Sequence, residues 1–177
     1  MKYNKKYVPE FVYGGIDGAV TTLAIIAGAM GAVLSPAIVL ILGFANLVAD
    51  GFSMAISNYL STKSQAELHK KHKDARLFRQ EVRHPIKTGS ATFISFIIIG
   101  LIPLLPFLLA FVSSVVDAIK FSLSIIFTGI ALVIVGAIKG KIVNKHYFRS
   151  ALETLIIGGI AASLAFIVGY LLKGLLT

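Results

Sequence analysis

Charged residues are missing from three long stretches of this chain. No Asp, Glu, Lys or Arg occurs between Lys87 and Asp117, between Lys120 and Lys139, or between Glu153 and Lys173. Each stretch can cross a bilayer as a helix, because a hydrocarbon core of about 30 Å needs roughly 20 apolar residues. The stretches are apolar throughout, whereas the strands of a membrane β-barrel alternate between apolar and polar residues. With 56% hydrophobic residues and a mean hydropathy of +0.86, the chain is predicted to be surrounded by lipid.

Apolar runs and helix breakers together predict an all-α, polytopic membrane protein with five transmembrane helices. We expect one transmembrane domain over 1–177, with helices at about 13–34, 37–60, 89–110, 121–138 and 154–172. Ser35 and Pro36 leave room only for a tight turn, so the first two helices should form a hairpin. Pro103 and Pro106 remove backbone donors from the third helix, which should therefore kink or end early.

The basic residues predict how these helices are oriented. Of the 17 Lys and Arg residues, 15 fall before helix one, between helices two and three, or between helices four and five. Lys and Arg near helix ends stay in the cytoplasm during insertion. We therefore predict a cytoplasmic N-terminus, a cytoplasmic basic loop at about 61–88 and a C-terminus outside. Topology and anionic membrane lipids then account for the net charge of +9, and no nucleic-acid partner is expected.

Two carboxylates inside the predicted helices carry the strongest functional signal. They are Asp17 in helix one and Asp50 in helix two. A carboxylate within a bilayer normally faces a cavity or a partner, and it indicates a functional site. Gly14 and Gly18 flank Asp17 with the spacing typical of close helix contacts in membranes. The simpler alternative is that Asp17 lies near the lipid headgroups and only orients its helix.

Helix two carries a polar track. Its members recur every four residues and are Asn46, Asp50, Met54 and Asn58. This spacing places them along one slowly turning face of the helix. Carboxamides can also hold helices together through hydrogen bonds, which is the alternative interpretation. Asp50 favours a pathway for ions, because helix contacts do not require a charge inside the membrane.

The donor atoms predict which ions such a track could bind. The chain has no Cys, so any metal must use oxygen, imidazole or thioether ligands. Oxygen ligands suit hard cations, whereas an added thioether shifts preference toward transition metals. Fe²⁺ therefore fits better than Mg²⁺ or Ca²⁺, and Mn²⁺, Co²⁺ and Zn²⁺ are compatible.

A weaker group of candidate ligands lies in the basic loop. It consists of Glu67, His69, His72, Asp74 and His84. Lysines surround the two central histidines and would repel a cation, so a solvated face near the inner leaflet is favoured over a metal site. Phosphate-binding loops, zinc-protease pairs and nucleophile elbows are missing from the sequence, which argues against an enzyme and against an ATP-driven pump. An ion gradient or the membrane potential would have to drive transport.

Two stretches resemble signatures of the vacuolar iron transporter family, also called the calcium-sensitive cross-complementer family. The first is YGGIDGAVTTLAIIAGAMGA at 13–32, which resembles the family's Asn-Asp-Gly signature in helix one. The second is ANLVADGFSMAISNYLSTKSQAE at 45–67, which resembles its helix-two signature. The resemblance implies a homodimer of five-helix protomers that passes metal between the subunits, out of the cytosol and in exchange for protons.

The resemblance also implies roles for single residues. Asp17 and Met54 match pathway ligands of the family, whereas Asn46 and Asn58 stand where many members have glutamates. Asp50, one turn beyond Asn46, would compensate for one lost acid. The short basic loop implies a short form without the family's glutamate-rich metal-collecting domain. The metal and the proton would be transported rather than permanently bound, with no resident cofactor.

The sequence leaves three matters open. The membrane would be the plasma membrane of a prokaryote, which we favour, or the vacuolar membrane of a eukaryote. A Mn²⁺ or broad-range exporter of the same fold is a close alternative. A membrane scaffold or lipid-binding dimer without transport is an alternative of another class.

Overall fold

The computed structural model describes residues 7–71 and 83–175, and these residues form helices joined by short turns. The helices are α1 (Val8–Gly31), α2 (Pro36–Lys71), α3 (Pro85–Leu101), α4 (Leu105–Leu109), α5 (Ser114–Ile142) and α6 (Tyr147–Leu172). Short 3-10 turns follow α3 at Ile102–Leu104 and α6 at Lys173–Leu175. Five spans are long and apolar enough to cross a membrane, with α3, its 3-10 turn and α4 forming the third at Pro85–Leu109. The described residues contain no strand, so the predicted all-α class is confirmed.

All five spans begin before the first residue expected from the sequence. α1 begins at Val8 rather than 13, α5 at Ser114 rather than 121, and α6 at Tyr147 rather than 154. The expected boundaries follow the apolar runs and the helix breakers, but a helix can continue into the headgroup region, where charged side chains reach water. Ser113 caps α5 there, because its hydroxyl accepts a hydrogen bond from the Val116 backbone N–H at 3.4 Å.

The prolines interrupt the third span where the sequence predicts. The α-helix ends at Leu101, and Pro103 lies in the 3-10 turn that follows. The Ser124 hydroxyl on α5 donates a hydrogen bond to the Pro103 carbonyl at 2.7 Å, deep in the protein. A neighbouring helix thus supplies a backbone partner at the break, as a buried polar group in a membrane requires.

α1 occupies the centre of the bundle and packs against α2, α3, α5 and α6. Glycines make this close packing possible. A side chain at Gly18 would collide with the Phe96 backbone oxygen of α3, and one at Gly31 would collide with the Phe166 oxygen of α6. Small residues at these positions allow the backbones to approach, as is typical of helix contacts in membranes.

One end of the bundle collects the positive charge, and we call it the basic end. α1, α3 and α6 begin there, and α2 and α5 finish there. The described basic residues at this end are Lys63, Arg83, Lys87, Lys139, Lys141, Lys145 and Arg149. The opposite end carries Lys120 and Lys173.

Candidate metal pathway

A hydrogen bond fixes the register between α1 and α2. The Asn46 side-chain amide donates to the Thr21 hydroxyl at 3.4 Å. The two helices form an antiparallel hairpin, so moving four residues on in α2 corresponds to moving four residues back in α1. That step leads to Asp50 and Asp17, which therefore lie at one level. The negative charge of Asp50 does act on Asp17 electrostatically.

The two aspartates have no fixed positive partner within the described residues. Both are half-buried, and neither forms an ion pair with a described Lys, Arg or His side chain. Lys139 lines the same cavity of about 400 Å³ as Asp17 without pairing with it. It forms an ion pair with Glu153 at 3.4 Å instead. Asp17 and Asp50 thus place two acidic groups at one level of the hairpin, with no basic partner among the described residues.

The predicted track of α2 lies at the border between its packed face and its exposed face. The packed face consists of the buried residues Val39, Gly43, Leu47, Gly51 and Ala55. All four residues of the track are half-buried, namely Asn46, Asp50, Met54 and Asn58. A stripe of small exposed residues follows on its other side and consists of Ala45, Ala49, Ser53 and Ser57. The track and the α1 residues level with it, Asp17 and Thr21, form what we call the polar column.

Both carboxamides of the column hold neighbouring helices. Asn46 donates to Thr21 on α1, and Asn58 donates to the Thr92 hydroxyl on α3 at 2.6 Å. Thr92 in turn donates to the Thr88 carbonyl at 3.1 Å. The amide groups of Asn46 and Asn58 thus form hydrogen bonds between helices, as the alternative interpretation of these residues predicts. Their carbonyl oxygens are the atoms that would remain for a cation.

Met54 takes part in the hydrophobic core. It is half-buried and packs against the cluster that contains Leu47 and Phe96. This contact accounts for an apolar side chain at position 54 without reference to metal. A role for the Met54 sulfur as a ligand stays a prediction.

The weaker candidates of the basic loop are mostly separate from the column. Glu67 is exposed on the last turns of α2, and His84 is exposed just before α3. His69 lies within α2, but its side chain is outside the described part, and His72 and Asp74 lie outside the described residues altogether. Within 7–71 and 83–175, no three His, Asp or Glu side chains come together closely enough to hold a metal ion.

Sequence reasoning missed Glu10. The structure places it in the first turn of α1, with its side chain 7% exposed and paired with Arg83, which precedes α3. The expected start of helix one at 13 left Glu10 outside the helix. Pro9 and Glu10 together are a helix-start signal, since proline and acidic residues both favour the first turn, and this signal could have found it.

The fold and the polar column define an integral membrane protein whose spans enclose acidic groups. The chain belongs to the VIT family, whose model matches residues 8–78 and 72–170. This match confirms the family that the two signature stretches indicated.

Relatives named vacuolar iron transporter align with nearly the whole chain. The protein from Toxoplasma gondii is 28% identical over 94% of this chain and 74% of its own length. That from Plasmodium berghei is 27% identical over 96% and 84%, and vacuolar iron transporter 1 of Oryza sativa subsp. japonica is 24% identical over 90% and 82%. The first alignment covers 225 positions, whereas this chain has 177 residues, so that relative carries insertions. These names support a metal transporter rather than an enzyme.

Proposed function

We propose that this chain moves a divalent transition metal, Fe²⁺ first, out of the cytosol in exchange for protons. The observation that carries the proposal is the pair Asp17 and Asp50, level with each other and without a described basic partner. Acidic groups in low dielectric need compensation by a cation or by protonation. A divalent metal meets this need in one state and protons meet it in the other, which is the minimum requirement for exchange.

The family resemblance implies export from the cytosol, and the proposed orientation defines the path that export would take. We take the basic end as cytosolic, because positive residues stay on that side during insertion. Metal would then enter the column from the end where α1 begins and leave beyond Asn46. The names of the relatives support iron as the metal. The plasma membrane of a prokaryote is the favoured location, and the vacuolar membrane is the alternative.

A homodimer would complete the ligand set. The stripe Ala45, Ala49, Ser53 and Ser57 is exposed beside the column, and such small residues let a second helix approach closely. A second copy on this stripe would bring its own Asp17 and Asp50 to the same channel. Because the chain has no Cys, a single cysteine reports the contact cleanly. Ser53→Cys should form a disulfide-linked dimer in membranes, whereas Ser163→Cys, exposed on α6, should not.

Purified protein in proteoliposomes tests the transport itself. An imposed proton gradient should drive uptake of Fe²⁺, and a pH dye should report proton movement in the opposite direction. Competition by Mn²⁺, Co²⁺ and Zn²⁺ in the same assay distinguishes an iron exporter from a manganese or broad-range exporter. Metal flux without any proton movement would contradict the exchange.

A non-transporting scaffold has one observation in its favour. Asn46 and Asn58 are both engaged in hydrogen bonds between helices, which is what an assembly role requires. A scaffold would bind anionic lipids through its basic end and would show neither metal flux nor a metal-dependent change in unfolding temperature.

A further inference from the structure

Glu10 continues the polar column toward the basic end. It lies seven residues before Asp17 on α1, which is two helical turns or about 10 Å along the same face. The register set by Asn46 and Thr21 brings Glu10 level with Ser57 and Asn58 at that end of the α2 track. An ion that enters from the basic end meets Glu10 before it meets Asp17.

The surroundings of Glu10 are unusual for a carboxylate. One oxygen pairs with the Arg83 guanidinium, while the other, Oε2, is buried without a hydrogen-bond partner among the described residues. A buried polar atom that lacks a partner is rare and calls for an explanation. Spare acceptor capacity on a buried carboxylate is what a cation site needs.

Arg83 is the more exposed member of the pair. Its side chain is 43% exposed, against 7% for Glu10. The arginine comes from the segment before α3, 73 residues away in the chain, so it is a tethered cation rather than a neighbour on the same helix. Next to it, the His84 backbone N–H donates to the Tyr7 hydroxyl at 3.2 Å, which ties the two segments together.

We propose that Glu10 is a further cation site at the entrance of the polar column, and that Arg83 occupies it until a divalent metal displaces the guanidinium. This inference rests on the proposed function, because it concerns the same path. It predicts that the tethered cation competes with the transported one. If a site is free for only a fraction of the time, its apparent Kd equals the intrinsic Kd divided by that fraction.

Arg83→Gln tests the competition. If Arg83 occupies Glu10 for about four-fifths of the time, its removal should lower the half-saturating metal concentration of transport about fivefold. Lys87→Gln is the matched control, since Lys87 is exposed four residues further on and its loss removes one positive charge from the same end. Equal shifts in the two variants would show a general effect of surface charge and would overturn the proposal.

A double variant separates binding from architecture. In a Glu10→Gln background, Arg83→Gln should have no further effect on the half-saturating concentration, because there is no carboxylate left to compete for. If the pair only holds the helices together, Arg83→Gln should lower the unfolding temperature and leave the half-saturating concentration unchanged. That second result would overturn the proposal.

Metal binding measured without transport keeps the inference testable by itself. In detergent, the Mn²⁺ concentration that half-maximally raises the unfolding temperature should be lower for Arg83→Gln than for wild type and Lys87→Gln. This shift together with absent flux in wild type would overturn the proposed function and support the site. Flux in wild type with an identical Mn²⁺ response in all three proteins would overturn only the site. If Glu10→Gln does not fold, Arg83→Lys replaces it and should respond like wild type, since it keeps the tethered charge.

Discussion

Glu10 and Asp17 are two acids on one face of α1 that differ in burial and in their charged neighbours. Glu10 is buried and is paired with Arg83, a cation from the same chain. Asp17 is half-buried, has no described basic partner and lies level with another acid, Asp50. A buried charge must be compensated within the protein or by something that comes from outside. The comparison shows that the two acids differ in how their charge is compensated: Glu10 has a cation of its own chain, whereas Asp17 has none among the described residues.

The largest effect should come from Asp17→Asn. The substitution keeps the shape of the side chain and removes its charge, so metal-dependent flux in proteoliposomes should fall to the background of empty vesicles. Asp117→Asn is the control, because Asp117 is an exposed acid at the opposite end, paired with Lys120 at 2.7 Å. Unchanged flux in Asp17→Asn would exclude this acid as a ligand and would remove the contrast with Glu10.

The second effect concerns the partner acid. Asp50→Asn should lower flux about tenfold or more, since even the loss of a residue that only supports a ligand at a metal site has an effect of about that size. If the two acids hold the same ion, Asp50→Asn should also weaken the Mn²⁺-dependent rise in unfolding temperature in detergent. Unchanged flux together with an unchanged Mn²⁺ response in Asp50→Asn would show that Asp50 is not part of the site.

The third and smaller effect concerns the stability of the packing between α1 and α3 that positions Asp17. Gly18→Ala places a methyl group against the Phe96 backbone oxygen and should destabilise the protein by about 1–3 kcal/mol, the usual cost of overpacking. Gly159→Ala is the matched control, since nothing lies within 4 Å of the added carbon there. Thermal unfolding in detergent measures both. Equal unfolding temperatures would contradict the close packing of α1 against α3.

Met54 should have the smallest effect. Met54→Leu conserves volume and core packing but removes the sulfur, so the ratio of Fe²⁺ to Mn²⁺ flux should fall about threefold while total activity changes little. Met30→Leu is the control, because Met30 lines an apolar cavity away from the polar column. An unchanged ratio would assign Met54 to packing alone.

The spans could be predicted from the sequence because lipid imposes a simple rule. Backbone groups in a bilayer must be satisfied within a helix, so uncharged runs of sufficient length identify the helices. Their ends could not be predicted by that rule, since helices continue past the hydrocarbon. α5 includes Asp117, and α6 begins ahead of Arg149. Charge marks the limit of the lipid there and not the limit of the helix.

The polar column was predictable only in part. Helical spacing alone places Asn46, Asp50 and Met54 on one face of α2. The position of Asp50 relative to α1 depends on the hydrogen bond between Asn46 and Thr21, which no local sequence pattern encodes. The burial of Glu10 likewise depends on Arg83, far away in the chain. Sequence reasoning therefore found Asp17 and Asp50 and missed Glu10, whose environment is built from two distant segments.

The most direct measurement is anomalous scattering from crystals soaked with Fe²⁺, Mn²⁺ or Co²⁺. The account predicts a metal peak within ligand distance of the Asp17 and Asp50 carboxylates, lost in Asp17→Asn crystals that otherwise keep the fold. A protein that transports metal but shows its peaks only away from these two acids would contradict it.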